Sequence, residues 1–123
     1  MFAPILRTLS TPEVLAIVGS PARIYHFGNA PQGVLKPYIT WFVVVSDPYS
    51  HLSGPPGADM DVIQIDCWAG PDDYQDTACL RLARAARDAL ELAGQSCRVI
   101  ANRREPDTGL FHIGLQVDFI HNR

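Results

Sequence analysis

The apolar positions of this chain follow two rhythms, and the period-two rhythm dominates. Val62 to Ala69 alternates, with Ile63, Ile65, Cys67 and Ala69 on one side and Val62, Gln64, Asp66 and Trp68 on the other, which predicts a half-buried strand. Tyr38 to Ser46 is apolar on both sides and rich in β-branched and aromatic residues, so it reads as a central strand covered on both faces. Between them, Asp47 to Asp59 is a Pro/Gly/Ser-rich connection of about a dozen residues, too long for a tight hairpin. It is expected to be mobile in an isolated subunit and ordered only in an assembly. Two further strands, Cys97 to Arg104 and Leu110 to His121, flank the turn Glu105-Pro106-Asp107-Thr108-Gly109. Phe111, Ile113, Leu115, Val117 and Phe119 give the last strand one apolar face.

The helical rhythm appears at the start and in the middle. Phe2, Ile5, Leu6 and Leu9 stand at helical spacing, and Thr11-Pro12-Glu13 supplies a cap, a first-turn proline and a first-turn carboxylate for a second short helix that Gly19 stops. Arg23 to Phe27 has the length of a brief strand, and Gly28 to Gly33 is turn chemistry. Pro71 as a first helical residue, with Asp72 and Asp73 at the positive end of the dipole, predicts a long helix that ends at Gly94, about 33 Å on. Its stripe is Tyr74, Ala78, Cys79, Leu82, Ala86, Ala89, Leu90 and Ala93, with Arg84–Asp88 and Arg87–Glu91 pairs facing solvent. The expected fold is α+β, a mainly antiparallel sheet of about four strands with one long helix on one face and short N-terminal helices. Ile63, Ile65, Leu82, Ala86, Leu90, Ile113, Leu115 and Val117 should fill the layer between sheet and helix.

Composition narrows the function classes. At 123 residues the chain reads as one domain, 1–123, able to fold without staples, and its 47% apolar and 19% charged residues are those of an ordinary globule. A net charge of −3 argues against a free-standing nucleic-acid binder. Cys67, Cys79 and Cys97 are odd in number and lack ligand spacing, as expected of reduced core thiols. The first residues carry no secretion pattern, and the run Trp41 to Val45 is far shorter than a bilayer span. A soluble product, intracellular when made, is the expectation.

Candidate chemistry is sparse. His26 and His51 fall in loops and His112 and His121 point to opposite faces of one strand, so the histidines read as scattered surface residues and no metal site is expected. Asp59, Asp61 and Asp66 could form a hard-cation cluster, but the first two flank the connection and Asp66 is on the strand, so a solvated rim is the expected reading. Asp72, Asp73 and Asp76 are explained by the helix dipole. There is no nucleophile elbow or P-loop, and Gly54-Pro55-Pro56-Gly57 lacks the N–H donors that would cradle a phosphate. Catalysis is not expected and no cofactor is implied; a small hydrolase or isomerase using Asp66 and a histidine is a distant third reading that needs a concave pocket. Arg81, Arg84, Arg87, Arg98, Arg103 and Arg104 form the one basic concentration, without the interleaved aromatics of a single-strand binder, and suit salt bridges or interfaces. Candidate interface residues are Trp41, Trp68, Tyr49, His51, Leu52, Arg81 and Arg84.

The leading helix pair, Arg23-Ile24-Tyr25, the passage from Ala30-Pro31-Gln32-Gly33 to Pro37-Tyr38-Ile39, the strand Gln64-Ile65-Asp66-Cys67-Trp68-Ala69 with its following helix, and the closing Leu115-Gln116-Val117-Asp118-Phe119 together resemble the tail-completion or tail-terminator (head-to-tail joining) proteins of long-tailed bacteriophages. The resemblance spans nearly the whole chain. It implies a virion structural protein, a hexameric ring at the head-proximal end of the tail tube that stops tube polymerisation and docks the head connector. The implied partners are copies of itself, the major tail tube protein, the connector or stopper protein, and double-stranded DNA passing through the lumen without specific binding; no membrane is involved. A head-side connector or stopper ring of the phage neck is the nearest alternative. The family carries no chemistry, so no catalytic residue is implied.

Overall fold

The computed structural model describes residues 2–49 and 57–122. Two short helices, α1 (Ile5–Leu9) and α2 (Pro12–Val18), precede β1 (Ile24–His26), β2 (Tyr38–Tyr49), β3 (Ala58–Ala69), α3 (Gln75–Leu92), β4 (Cys97–Arg104) and β5 (Phe111–Asn122). The strands form one sheet in the order β1-β2-β3-β5-β4, with β1 parallel to β2 and every other pairing antiparallel. The fold is thus the expected α+β class, with the brief β1 added as a fifth strand.

Parity decides which side chains meet the helices. On β3 the odd residues Ile63, Ile65, Cys67 and Ala69 are fully buried, and on β5 Ile113, Leu115, Val117 and Phe119 join them. Helix α3 lays Cys79, Leu82, Ala83, Ala86, Ala89 and Leu90 onto that surface, and its alanines allow a close approach. Helices α1 and α2 pack against α3 on the same side, bringing Ile5, Leu9, Val14 and Val18 into one continuous core. All eight residues expected in this layer are buried there.

Two elements differ from the sequence reading. Helix α3 starts at Gln75, because Tyr74 takes a left-handed conformation (φ 75°) that a right-handed helix cannot continue. Pro71 therefore lies in the turn before the helix, Tyr74 is 88% exposed and Ala93 is exposed too, so neither belongs to the buried stripe. The β2–β3 ladder also runs further than expected, through Asp47↔Met60, Pro48↔Asp59 and Tyr49↔Ala58. The pairing absorbs both ends of the segment assigned to the long connection and makes an extended hairpin arm. The rest of that connection, including His51 and Leu52, lies outside the described residues, as does the expectation of its mobility.

Candidate functional site

With all helices on one side, the opposite face of the sheet carries no covering element among the described residues, and it divides into two halves. At the lower end, Tyr38, Thr40, Asp66, Trp68 and His112 share the face by parity, since Tyr38 pairs Trp68, Thr40 pairs Asp66 and Trp68 pairs His112. Trp68 stacks on the His112 ring at 4.2 Å between centroids and donates Nε1–H to Thr40 Oγ1 at 3.0 Å. Tyr38 stacks on the other side of Trp68, and Tyr25 meets Tyr38 edge-on. The aromatic row lets a bare sheet face bury polar groups.

His112 is the centre of that half. Its Nε2 lies 2.7 Å from Asp66 Oδ1 and its Nδ1 lies 3.0 Å from Glu105 Oε1, so a residue of β5 is held by a carboxylate from β3 and another from the β4–β5 turn. A neutral imidazole has only one N–H, whereas two carboxylate partners are both served by an imidazolium. Burial works against the charged ring, but the hydrogen bonds and charges of Asp66 and Glu105 outweigh it and raise the His112 pKa above its ordinary value. Gln64 Nε2 donates to Asp66 Oδ1 at 3.0 Å, and Arg103 pairs with Glu105 at 3.1 Å. With both ring nitrogens committed, His112 has no free lone pair to act as a base.

The upper half is apolar and exposed. Phe42, Val44 and Val45 on β2 and Ile120 on β5 stand open to solvent, with Ile100 on the neighbouring β4 also exposed. Both outer strands are kinked here, β2 between Val43 and Val45 and β4 between Val99 and Ala101. The outer strands are also incompletely paired. Strand β1 covers only Ile39 to Trp41 of β2, leaving Phe42 to Tyr49 without an outer neighbour among the described residues, and β4 has none along its outer side.

A second Asp–His couple lies under the helices. Asp61 is fully buried and accepts from the Ala3 main-chain N–H at 2.8 Å, from His121 Nε2 at 2.8 Å and from the Ser46 hydroxyl. It ties the N-terminal segment, β2 and β5 together. The reading of Asp61 and Asp66 as solvated rim residues and of the histidines as scattered on the surface is corrected: Asp61, Asp66, His112 and most of His121 are inside, each with a partner. Parity was the missed signal, because Asp61 is in step with Ile63, Ile65 and Cys67.

The candidate interface residues separate accordingly. Trp41 is 7% exposed and stacks on His26 at 3.7 Å inside the core, so it presents no surface in the subunit. Trp68 shows an edge on the bare face, and Tyr49 ends β2 at the tip of the arm. Arg81 and Arg84 line a groove between α2 and α3 with Glu13, Ile17 and Asp88, far from the bare face. The expected Arg87–Glu91 pair is present at 3.9 Å, while Asp88 meets Arg87 rather than Arg84. No group of three or more metal-binding side chains occurs among the described residues, and no helix there is long and apolar enough to cross a membrane. Burial raises the pKa of Cys67, and that of Cys79 to about 11, which makes them poor nucleophiles.

The site thus offers a bare sheet face, open strand edges and two Asp–His couples whose groups are committed to one another. The chain belongs to the family described as tail completion protein gp17, whose sequence pattern matches residues 3–122. Its fold is similar to that of a chain in the virion of a native gene transfer agent particle, with a TM-score of 0.66 and 19% identity over 93% of this chain and 88% of that one. No curated protein matches the sequence.

Proposed function

We propose that the protein is the tail terminator of its particle, a ring on the head-proximal end of the tail tube that stops tube growth and offers the docking surface for the head connector. The observation that carries this reading is the sheet itself. A tail-completion domain whose sheet is covered on one face, bare on the other and open along both long edges is suited to joining copies of itself side by side. Copies joined head to tail must close into a ring or run on as a filament, and a cap on a tube needs closure. A hexamer is the expected closure, with double-stranded DNA crossing the lumen unread. The tube protein and the connector are its neighbours above and below, and its location is the head-proximal tail end. Trp68 and the arm ending at Tyr49 are the interface residues this reading retains, with His51 and Leu52 in the connection beyond; Arg81 and Arg84 would face outward partners.

Electron microscopy of particles made without the protein tests the role. Overlong tails are expected. Tails of normal length that fail to join heads would instead make the protein a connector or stopper of the neck.

A further inference from the structure

Each of the two open edges carries a β-bulge, the one on β2 level with Val117 and Asp118 and the one on β4 level with Leu115 and Gly114. We propose that the outer edge of β4 in one subunit pairs with the unpaired segment of β2 in the next, Phe42 to Asp47, in a single register that sets bulge against bulge; this deepens the ring reading above and rests on it. The occupant of the edge is therefore a second copy of this chain.

Direction, parity and charge support the same register. Strands β2 and β5 run one way and β3 and β4 the other, so β4 beside a neighbour's β2 makes the antiparallel pairing that dominates this sheet. On β4, Arg98 and Arg103 lie on the bare face and Val99 and Asn102 on the helix face, the change of step being taken up at Ile100. On β2, Phe42 and Asp47 lie on the bare face and Val43 and Ser46 on the helix face, with the change of step at Val44. Setting Asp47 opposite Arg98 places Ser46 opposite Val99, Val43 opposite Asn102 and Phe42 opposite Arg103. Every pair then shares a face, and the irregular residues 44–45 oppose 100–101. A slip of one residue would put helix-face side chains against bare-face ones along the whole junction. The register also matches Asp47 with Arg98 across the junction, sets Arg103 beside the Phe42 ring and covers exposed Val45 with exposed Ile100.

The geometry closes. Phe42 sits level with Gln116 and Arg103 level with His112, so the neighbour is displaced by four residues along the strands. At about 3.3 Å per residue and about 4.8 Å per strand over the four strands β2, β3, β5 and β4, the strands tilt by about 35° from the ring axis, within the range of closed sheets. Strand β1 stops at His26 opposite Trp41, so this pairing ends at Arg103 and Arg104 has to turn away from the neighbour's β1. With right-handed twist and a right-handed β3–α3–β4 crossover, a stagger in this direction turns α3 outward and the bare face inward.

Disulfide mapping in rings assembled on tail tubes tests the register. In a Cys97→Ser background, chains carrying Phe42→Cys with Arg103→Cys, or Ser46→Cys with Val99→Cys, should oxidise to a ladder of multimers on a non-reducing gel. Within one subunit these positions are three strand spacings and four residues apart, about 19 Å, too far to bridge. The slipped control, Phe42→Cys with Asn102→Cys, should yield about tenfold less. Asp47→Arg and Arg98→Asp should each weaken ring formation several-fold, and the double exchange should restore it. Rings that form without the matched ladders, or that cross-link equally in the slipped control, overturn the register and leave the terminator reading standing. Absence of any ring, with or without tubes, removes both.

Discussion

Asp66–His112 and Asp61–His121 are two versions of one couple, a carboxylate of β3 and a histidine of β5, placed on opposite faces of the same strand pair. Under the helices, Asp61 gathers three donors from three parts of the chain and His121 turns its other nitrogen to the Asn122 carbonyl at 3.2 Å. On the bare face, His112 turns its other nitrogen to a second carboxylate and lies under an indole. Surroundings therefore give the same two residue types different work: Asp61 is a structural knot, whereas His112 is a charge held between two acids close to the surface that the ring reading turns inward.

The largest expected effect comes from cutting the knot. Asp61→Ala leaves the Ala3 N–H, the Ser46 hydroxyl and His121 without their acceptor, and should destabilise the subunit by about 3–4 kcal/mol in chemical denaturation. Asp66→Ala should lose about 2 kcal/mol, because Asp66 and its partner Gln64 keep contact with water and His112 retains Glu105. Equal losses would mean that the two couples are equivalent.

The pH dependence sharpens the contrast. His112 has a raised pKa in the folded protein, so it binds its proton more tightly folded than unfolded; its stabilisation is complete below the unfolded value, about 6.5, and fades as pH rises through the folded one. Denaturation midpoints measured across neutral pH should therefore fall toward alkaline pH. His112→Gln should remove that part of the slope; a slope unchanged in this variant would show that His112 is not its source.

A smaller effect should follow from loosening the turn that holds Glu105. Arg104 donates to the carbonyls of Pro71 and Gly109 at 2.6 and 2.9 Å and lies over the Phe111 ring. Arg104→Lys keeps the charge and loses the fork, so about 1 kcal/mol should go, together with part of the pH slope. Thermal unfolding of the variant at two pH values measures both.

The sheet and the helix layer were legible because burial on one side imposes a period that single residues cannot hide: Ile63, Ile65, Leu82 and Leu90 declare it. The start of α3 was not legible, since Pro71-Asp72-Asp73 satisfies every rule for a helix start and only the left-handed Tyr74 postpones it. The arm was hidden by Pro48, which reads as a breaker but is tolerated in a strand with an open outer side. His112 and Asp66 are 46 residues apart, so their contact exists only once the β3–β5 register is fixed.

Gly114 stands at the crossing of these regions. A methyl group there would come within 3.1 Å of Asp66 Oδ1 and 3.4 Å of Ala101 and Ile100. The missing side chain acts as a spacer of fixed thickness, keeping the His112 cluster and the β4 bulge at one distance from each other. Any larger residue at 114 would push carboxylate and bulge apart, and the outer edge of the subunit would change shape although the substitution lies on its inner neighbour.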